Sequence, residues 1–404
     1  MSQPTKLPLP TLGANNLAHE TKMPDGSVRA AVNVDLTADG SFRRRPGYRL
    51  VKPGGYHSLW RNPVSGQVFV AERAVLNVLS PDLSLTPVFG LDSPEPTDFC
   101  EYNGNTYFRG GYYDGKRGRP LGVPTPSVTI EPVAGALPQG RYGIALTALN
   151  DAGEESGASR VQFVEGTGFR LHIQSNTPAV RAYITDGHGE QLRLAWEMPA
   201  GLLSYQITSP ATGDWLTSGN LEPLPKGQII RGHGGRLYVA KGDMLCFSEP
   251  LRPHLWNPGY GFVKFAGRIT MIEPTREGLY VGDERGVWYM SGMDIDKAEP
   301  RLASRVPAME RTSLQIAADR FNPQVVQYRG SVPMWLTEEG YKIGGTEGQV
   351  IDLNSDRVKV APSVGKSAEV VRGGVRQVLT LVKSGLSPVG TARDSTGEPN
   401  GIYW

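Results

Sequence analysis

Cysteine is scarce: Cys100 and Cys246 are the only two in 404 residues. One disulfide between them is open. The expected state is two buried thiols in a protein that folds in a reducing cytoplasm. Long helical periodicity is nearly absent as well. Leu302–Asp319, with Ala303, Val306, Met309, Leu314, Ala317 and Ala318, is the one stretch with a helical pattern, and Pro307 argues against most of it. No run approaches the roughly 18 apolar residues of a membrane span. Met1-Ser-Gln-Pro carries no apolar signal region, so the protein is expected to be soluble when made. Excess charge is lacking too: 42 Lys and Arg against 40 Asp and Glu leave a formal net charge of +2. Non-specific nucleic-acid binding is therefore not expected from charge. The six histidines (His19, His57, His172, His188, His233, His254) are dispersed without metal-ligand spacing. No Gly-x-Ser-x-Gly elbow, phosphate-cradling loop or dinucleotide fingerprint occurs, so neither catalysis nor a cofactor is expected.

What the chain does have is a strand–turn–strand unit that returns. Gly66-Gln-Val-Phe-Val-Ala-Glu-Arg-Ala-Val-Leu-Asn-Val78, Gly235-Arg-Leu-Tyr-Val-Ala-Lys-Gly-Asp-Met-Leu-Cys-Phe-Ser248, Glu277-Gly-Leu-Tyr-Val-Gly-Asp-Glu-Arg-Gly-Val-Trp-Tyr-Met290 and Gly330-Ser-Val-Pro-Met-Trp-Leu-Thr-Glu-Glu-Gly-Tyr-Lys-Ile343 are four copies. Each is a short apolar strand, a tight polar turn and a second apolar strand. One hairpin cannot bury its own apolar face, but several can stack radially around a shared core. Glycine (50) and proline (32) make up about a fifth of the chain, scattered as turn punctuation. The expectation is an all-β fold, a β-propeller.

The pattern changes at Leu121-Gly-Val-Pro-Thr-Pro126. From Ser127 to about Pro210 some seven alternating segments read as a small β-sandwich: Ser127–Ile130, Gly140–Leu149, Gln162–Val164, Phe169–Ile173, Ala179–Thr185, Leu192–Trp196 and Leu203–Thr208. Hairpins resume after Trp215. The expected organisation is a propeller first part (1–121), an inserted sandwich (122–213) and a propeller second part (214–404). At roughly 45–50 residues per blade the host makes about six blades, with strands from both termini closing the ring.

Candidate sites are few. Phe42-Arg43-Arg44-Arg45-Pro-Gly-Tyr48 is the sharpest charge cluster. It suits an inter-subunit contact better than nucleic acid, because nothing else nearby is basic. Leu251, Arg252, Leu255 and Trp256, in the stretch Pro250–Pro258, suit interface anchoring. Lys116-Arg-Gly-Arg119 beside Tyr112-Tyr113 suits a stacked single strand, but reads better as an anchor for the loop entering the sandwich. Glu154-Glu155, Asp283-Glu284, Asp294/Asp296 and Glu338-Glu339 read as solvated turns rather than catalytic pairs. Asp294-Ile-Asp296 lacks the later ligands of a calcium loop, and Asp186-Gly-His-Gly-Glu190 reads as a hairpin turn.

Several of these segments resemble a family. Ala30-Ala-Val-Asn-Val-Asp-Leu-Thr-Ala-Asp-Gly-Ser-Phe-Arg-Arg-Arg-Pro-Gly-Tyr48 is similar to the N-terminal signature of tail hub or nozzle proteins of short-tailed bacteriophages. Gly235–Pro258, with its Ser248-Glu-Pro250, and Ile272–Met290 resemble further stretches of that family. Leu137–Ser159 resembles the fibronectin type III or Ig-like module such proteins carry. The resemblance implies a structural virion protein of the tail, assembled in the host cytoplasm. Copies would form a ring, six by the family's pattern, that continues the DNA channel below the portal and adaptor and helps retain and eject the genome. Tail fibres or tailspikes would be neighbours, and DNA would pass without sequence-specific binding. The competing expectation is a carbohydrate-binding or carbohydrate-cleaving propeller with an accessory sandwich. That alternative requires carboxylates and aromatics converging at the mouth of the central channel.

Overall fold

The computed structural model describes residues 12–30, 34–36, 42–45, 47, 49–173, 178–292, 297–321, 330–372, 375–383 and 401–403. Among these the protein is all-β: Glu20–Lys22 and Ala318–Arg320 are single-turn 3-10 helices, and no α-helix occurs. The helical pattern over 302–319 is not a helix. Arg301–Ser304 pairs with the strand Gly286–Ser291, and Leu314–Ala317 pairs with Ser331–Thr337. Pro307 lies between the two strands, where it would break a helical ladder. Tyr48 and the pair Asp294/Asp296 lie outside the described residues.

Five four-stranded antiparallel sheets follow one another, each with its strands side by side in chain order. They span 56–90, 99–120, 229–264, 269–304 and 314–352. A sixth hairpin, Gly365–Arg372 with Val375–Val382, comes next. Near the two ends of the chain, Leu50–Pro53 pairs with Gly401–Tyr403. This is the meander repeat of a β-propeller, and its core is built between successive sheets. Phe69 and Leu76 of the first sheet pack with Phe99 and Phe108 of the second. Tyr107 and Tyr112 of the second pack with Leu237 and Val239 of the third. Tyr238 and Phe247 of the third meet Ile272 and Leu279 of the fourth. Tyr280 of the fourth meets Trp335 of the fifth. The buried Tyr280 hydroxyl lies 2.9 Å from the Gly345 carbonyl and 2.7 Å from the Gln349 carbonyl, its one proton shared between them, tying the fourth sheet to the fifth. Burying a tyrosine is favourable when its hydroxyl keeps a partner. Each hairpin thus has one apolar face for each neighbouring sheet, which is why the strands read as continuous apolar runs.

Between the second and third sheets lie seven strands that form a sandwich. Val128–Pro132, Phe169–Ile173 and Ser204–Ile207 make one sheet. Gln162–Gly166, Gly140–Leu149, Ala179–Ile184 and Arg193–Met198 make the other. Their inner faces share a core of Tyr142, Ile144, Leu146, Phe169, Leu171, Val180, Ile184 and Ile207. At the open edge, Trp196 of one sheet stacks on Tyr205 of the other, with ring centroids 5.0 Å apart.

The sandwich is tied to the propeller at several points. Arg117 and Arg119 of the second sheet both pair with Asp151, in the turn after the sandwich's longest strand. Lys116-Arg-Gly-Arg119 is therefore an anchor for the sandwich. Gly157 packs so closely on the chain beyond the sandwich that an added Cβ would lie 1.7 Å from the Leu221 carbonyl oxygen. Only glycine allows that approach. Cys100 and Cys246 are separate buried thiols. Burial pushes them up to about 12 and about 11 respectively, so neither is a thiolate near neutrality.

Candidate functional site

The first strand of a propeller sheet faces the axis, and here those strands converge on a cavity of about 520 Å3. Ser58 and Leu59 come from the first sheet, Thr97 and Asp98 from the entry to the second, Ile229 and Arg231 from the third, and Thr270 from the fourth. Ser313 comes from the entry to the fifth, and Lys366, Leu381 and Lys383 from the sixth hairpin.

One wall of this cavity is a buried polar cluster. The Arg231 guanidinium pairs with Asp98 through Nη1, and its Nη2 donates to Glu273 Oε1 at 2.9 Å. Glu273 is only 1% exposed. It is saturated by two further donors: Ser313 Oγ reaches Oε1 at 2.8 Å and Gln315 Nε2 reaches Oε2 at 2.9 Å. Burial disfavours the Arg231 cation, but Asp98 and Glu273 outweigh that and hold it above its ordinary range. Arg231 therefore joins the second, third and fourth sheets through charge, and Glu273 extends the tie to the fifth. Every member of the cluster is paired, which suits a structural clamp. Asp98 is the only carboxylate on the described cavity lining, and no aromatic ring lines it.

The cluster was missed in the sequence. Its signal is a charged residue inside an otherwise apolar first strand, as in Ile229-Ile-Arg231 and Met271-Ile-Glu273. Their positions 98, 231 and 273 come together only once the sheets stand side by side.

The predicted interface residues fall in two places. Phe42–Arg44 forms a strand that pairs with Val34–Leu36 and sets Arg43 opposite Asp35. Arg43, Arg44 and Arg45 are exposed. The second group diverges residue by residue. Leu251 sits at a loop tip, 79% exposed and at φ +58°, a left-handed conformation that a leucine rarely adopts. Leu255, four residues on, is 1% exposed, so it packs inside and is not available to a partner. Trp256 is half-buried against the core between the second and third sheets. Arg252 donates through Nη2 to Thr217 Oγ1 at 2.9 Å, tying its loop to the chain leaving the sandwich. The adjacent His254 ring meets the Glu155 carbonyl at 3.1 Å. Much of the stretch around Pro250–Pro258 is thus the joint between sandwich and propeller, with Leu251 as its outward point.

Two of the acidic pairs are not solvated turns. Asp283 is fully buried, and its Oδ1 accepts from the backbone N–H groups of Arg285 and Gly286, both at 2.9 Å. Glu155 accepts from Thr147 Oγ1 (2.6 Å), Tyr183 Oη (2.7 Å) and Arg181 Nη1 (2.9 Å). Burial, and then the Glu155 carboxylate, push the Tyr183 hydroxyl well above its usual range.

No protein-family model matches the chain. No curated protein matches it. Among solved structures, it is similar to BBS1N in complex with ARL6DN, at 11% identity over 86% of this chain and 97% of that one, with a TM-score of 0.33. It is also similar to the extracellular domain of the putative one component system BT4673 from B. thetaiotaomicron, at 10% identity over 77% of this chain and 36% of that one, TM-score 0.26. The N-terminal domain of Nup159 matches at 12% identity over 83% of this chain and 91% of that one, TM-score 0.24.

Proposed function

We propose that the protein is a structural component of a phage tail, a nozzle or hub whose copies form a ring around the DNA path. The observation that carries this reading is the ordered set of resemblances along the chain: 30–48, 137–159, 235–258 and 272–290. The fold is compatible in kind. A stack of sheets cross-tied by Arg231, Tyr280 and a dense aromatic core makes a stiff wall, and stiffness is what a tube segment needs.

In this reading the sixth hairpin and the terminal pair Leu50–Pro53 with Gly401–Tyr403 supply the strands of a sixth blade. The sandwich is an insertion between the second blade and the third. The exposed arginines Arg43, Arg44 and Arg45 and the Leu251 tip are the contacts to neighbouring copies or to the portal and adaptor above, and tail fibres or tailspikes attach to the outside. Six copies close by one repeated heterologous contact. DNA slides through the shared lumen without sequence-specific recognition, and the protein belongs to the virion.

The test is electron microscopy and mass measurement of the purified protein, alone and with the products of neighbouring genes. A closed ring with an open centre supports the proposal. A monomer that binds or degrades polysaccharide and assembles with nothing overturns it in favour of the carbohydrate-active reading.

A further inference from the structure

The axial cavity has a second wall unlike the Arg231 clamp. Lys366 and Lys383 both line it. In the sixth hairpin Gly365 is opposite Val382 and Lys366 opposite Leu381, while the Lys383 N–H donates to the Val364 carbonyl at 3.0 Å. Residues 364 and 366 on one strand and 381 and 383 on the other therefore share one face. On that face two lysines lie diagonally across two apolar side chains, Val364 and Leu381, which are 43% and 68% exposed. Neither lysine has a carboxylate partner among the described residues. Arg311, also on the lining, adds a third cation, 3.5 Å from Glu310. The one lining carboxylate, Asp98, is already held by Arg231. The half-buried amide of Gln228 has no side-chain partner among the described residues and lines the same space.

We propose that this cavity is a binding site for a small organic anion, a carboxylate or phosphate monoester with a compact apolar body. The anionic head would meet Lys366, Lys383 and Arg311, and the body would lie against Leu59, Val364 and Leu381. The volume fits, since small-molecule sites commonly occupy some 300–1,000 Å3 and combine apolar walls with a few convergent polar groups. A cation pair with apolar surface between its members selects for an amphiphilic anion over a bare one: inorganic phosphate gains the charge contacts but not the burial of Leu381. The site does not depend on the ring reading, because it is complete within one copy.

The test is titration calorimetry of the full chain with phenyl phosphate and benzoate as probes of the two head groups, and inorganic phosphate as the bare anion. Saturable one-to-one binding of phenyl phosphate or benzoate is expected, with inorganic phosphate weaker. Lys366→Ala/Lys383→Ala should weaken binding roughly tenfold, the product of two modest charge contacts. Leu381→Ser should weaken phenyl phosphate while leaving inorganic phosphate unchanged. All these residues are exposed, so each variant should melt with the wild type, which separates lost binding from lost folding. No saturable heat at millimolar probe, or wild-type affinity in the double-lysine variant, overturns the proposal. Ring formation would be untouched by either result.

Discussion

Arg231→Met strands two carboxylates that the fold has taken out of water. In the wild type, Asp98 and Glu273 both lean on the guanidinium, with Glu273 at 2.9 Å. A unit charge pair 4 Å apart is worth about 4 kcal/mol at an effective dielectric of 20. Removing one partner of a buried pair costs about 3–5 kcal/mol, because the desolvation of the survivor is no longer offset. Asp98 keeps 18% side-chain exposure and can recover some hydration, whereas Glu273 keeps 1%, so most of the cost falls on Glu273. Ser313 and Gln315 still donate to it, which holds the loss near the middle of that range. We expect about 4 kcal/mol, read as a fall in the urea midpoint at unchanged slope and a fall in Tm of roughly 5 °C, since the unfolding entropy of a chain this long is large. Acid should partly restore the variant, because protonation discharges the stranded carboxylates. Adding Glu273→Gln should also restore stability, since a neutral amide removes the stranded charge. A loss below about 1 kcal/mol, or a double variant as unstable as the sum of the singles, would refute the clamp.

Three further outcomes follow from burial and contact. Leu255→Ala should cost about 2–5 kcal/mol in chemical denaturation, whereas Leu251→Ala should leave stability unchanged; equal effects would mean that the loop is placed wrongly. Gly157→Ala forces a methyl group onto the Leu221 carbonyl and should cost about 1–3 kcal/mol, with faster proteolysis between sandwich and propeller as the readout. His254 has its pKa lowered by burial, with Glu154 opposing. Its neutral form therefore contributes stability that is fully present above about pH 6.5 and is lost as the pH falls toward the lower folded value. Burial lowers His233 in the same way, so His254→Gln should flatten part of the stability-against-pH curve below neutrality, and an unchanged curve would count against the assignment.

The propeller hairpins and the sandwich were legible because their strands are buried on both faces or alternate cleanly. Ile229–His233, Arg236–Lys241 and Met244–Phe247 are apolar runs closed by Gly or Asp turns, and nothing else they could form would hide so much surface. What escaped was the outermost strand of four sheets: Leu85–Gly90, Gly118–Pro120, Arg301–Ser304 and Val350–Asp352. None of them has a fully buried residue. An edge strand is held by its backbone ladder to one neighbour, so its side chains carry little periodic constraint. The axial cluster escaped for a different reason. Asp98, Arg231 and Glu273 are 133 and 42 residues apart in the chain at their contacts, and strand periodicity assigns a face to each residue without saying which other strands share it. Leu251 and Leu255 show the same limit on a smaller scale: four residues apart in one apolar, proline-bounded stretch, they end at opposite extremes of exposure.

The joint between sandwich and propeller bears directly on what the molecule can do. A module attached by one linker swings; a module held at three separated points does not. Here the sandwich is held through Asp151 by Arg117 and Arg119, through the Glu155 carbonyl by His254, and through the Ala158 N–H, which donates to the Ser218 carbonyl at 3.0 Å. The first point engages the second sheet, the second the loop after the third sheet's third strand, and the last the segment that leads back into the propeller. The close approach of Gly157 to Leu221 sits among them. Relative motion is the default for modules joined by small polar contacts, so a chain that spends a glycine, a buried histidine and two arginines on suppressing it gains from rigidity. A binding module presented to a free ligand gains little from being locked to its carrier. In the ring reading proposed above, a load applied to the sandwich would be passed to the wall through all three points.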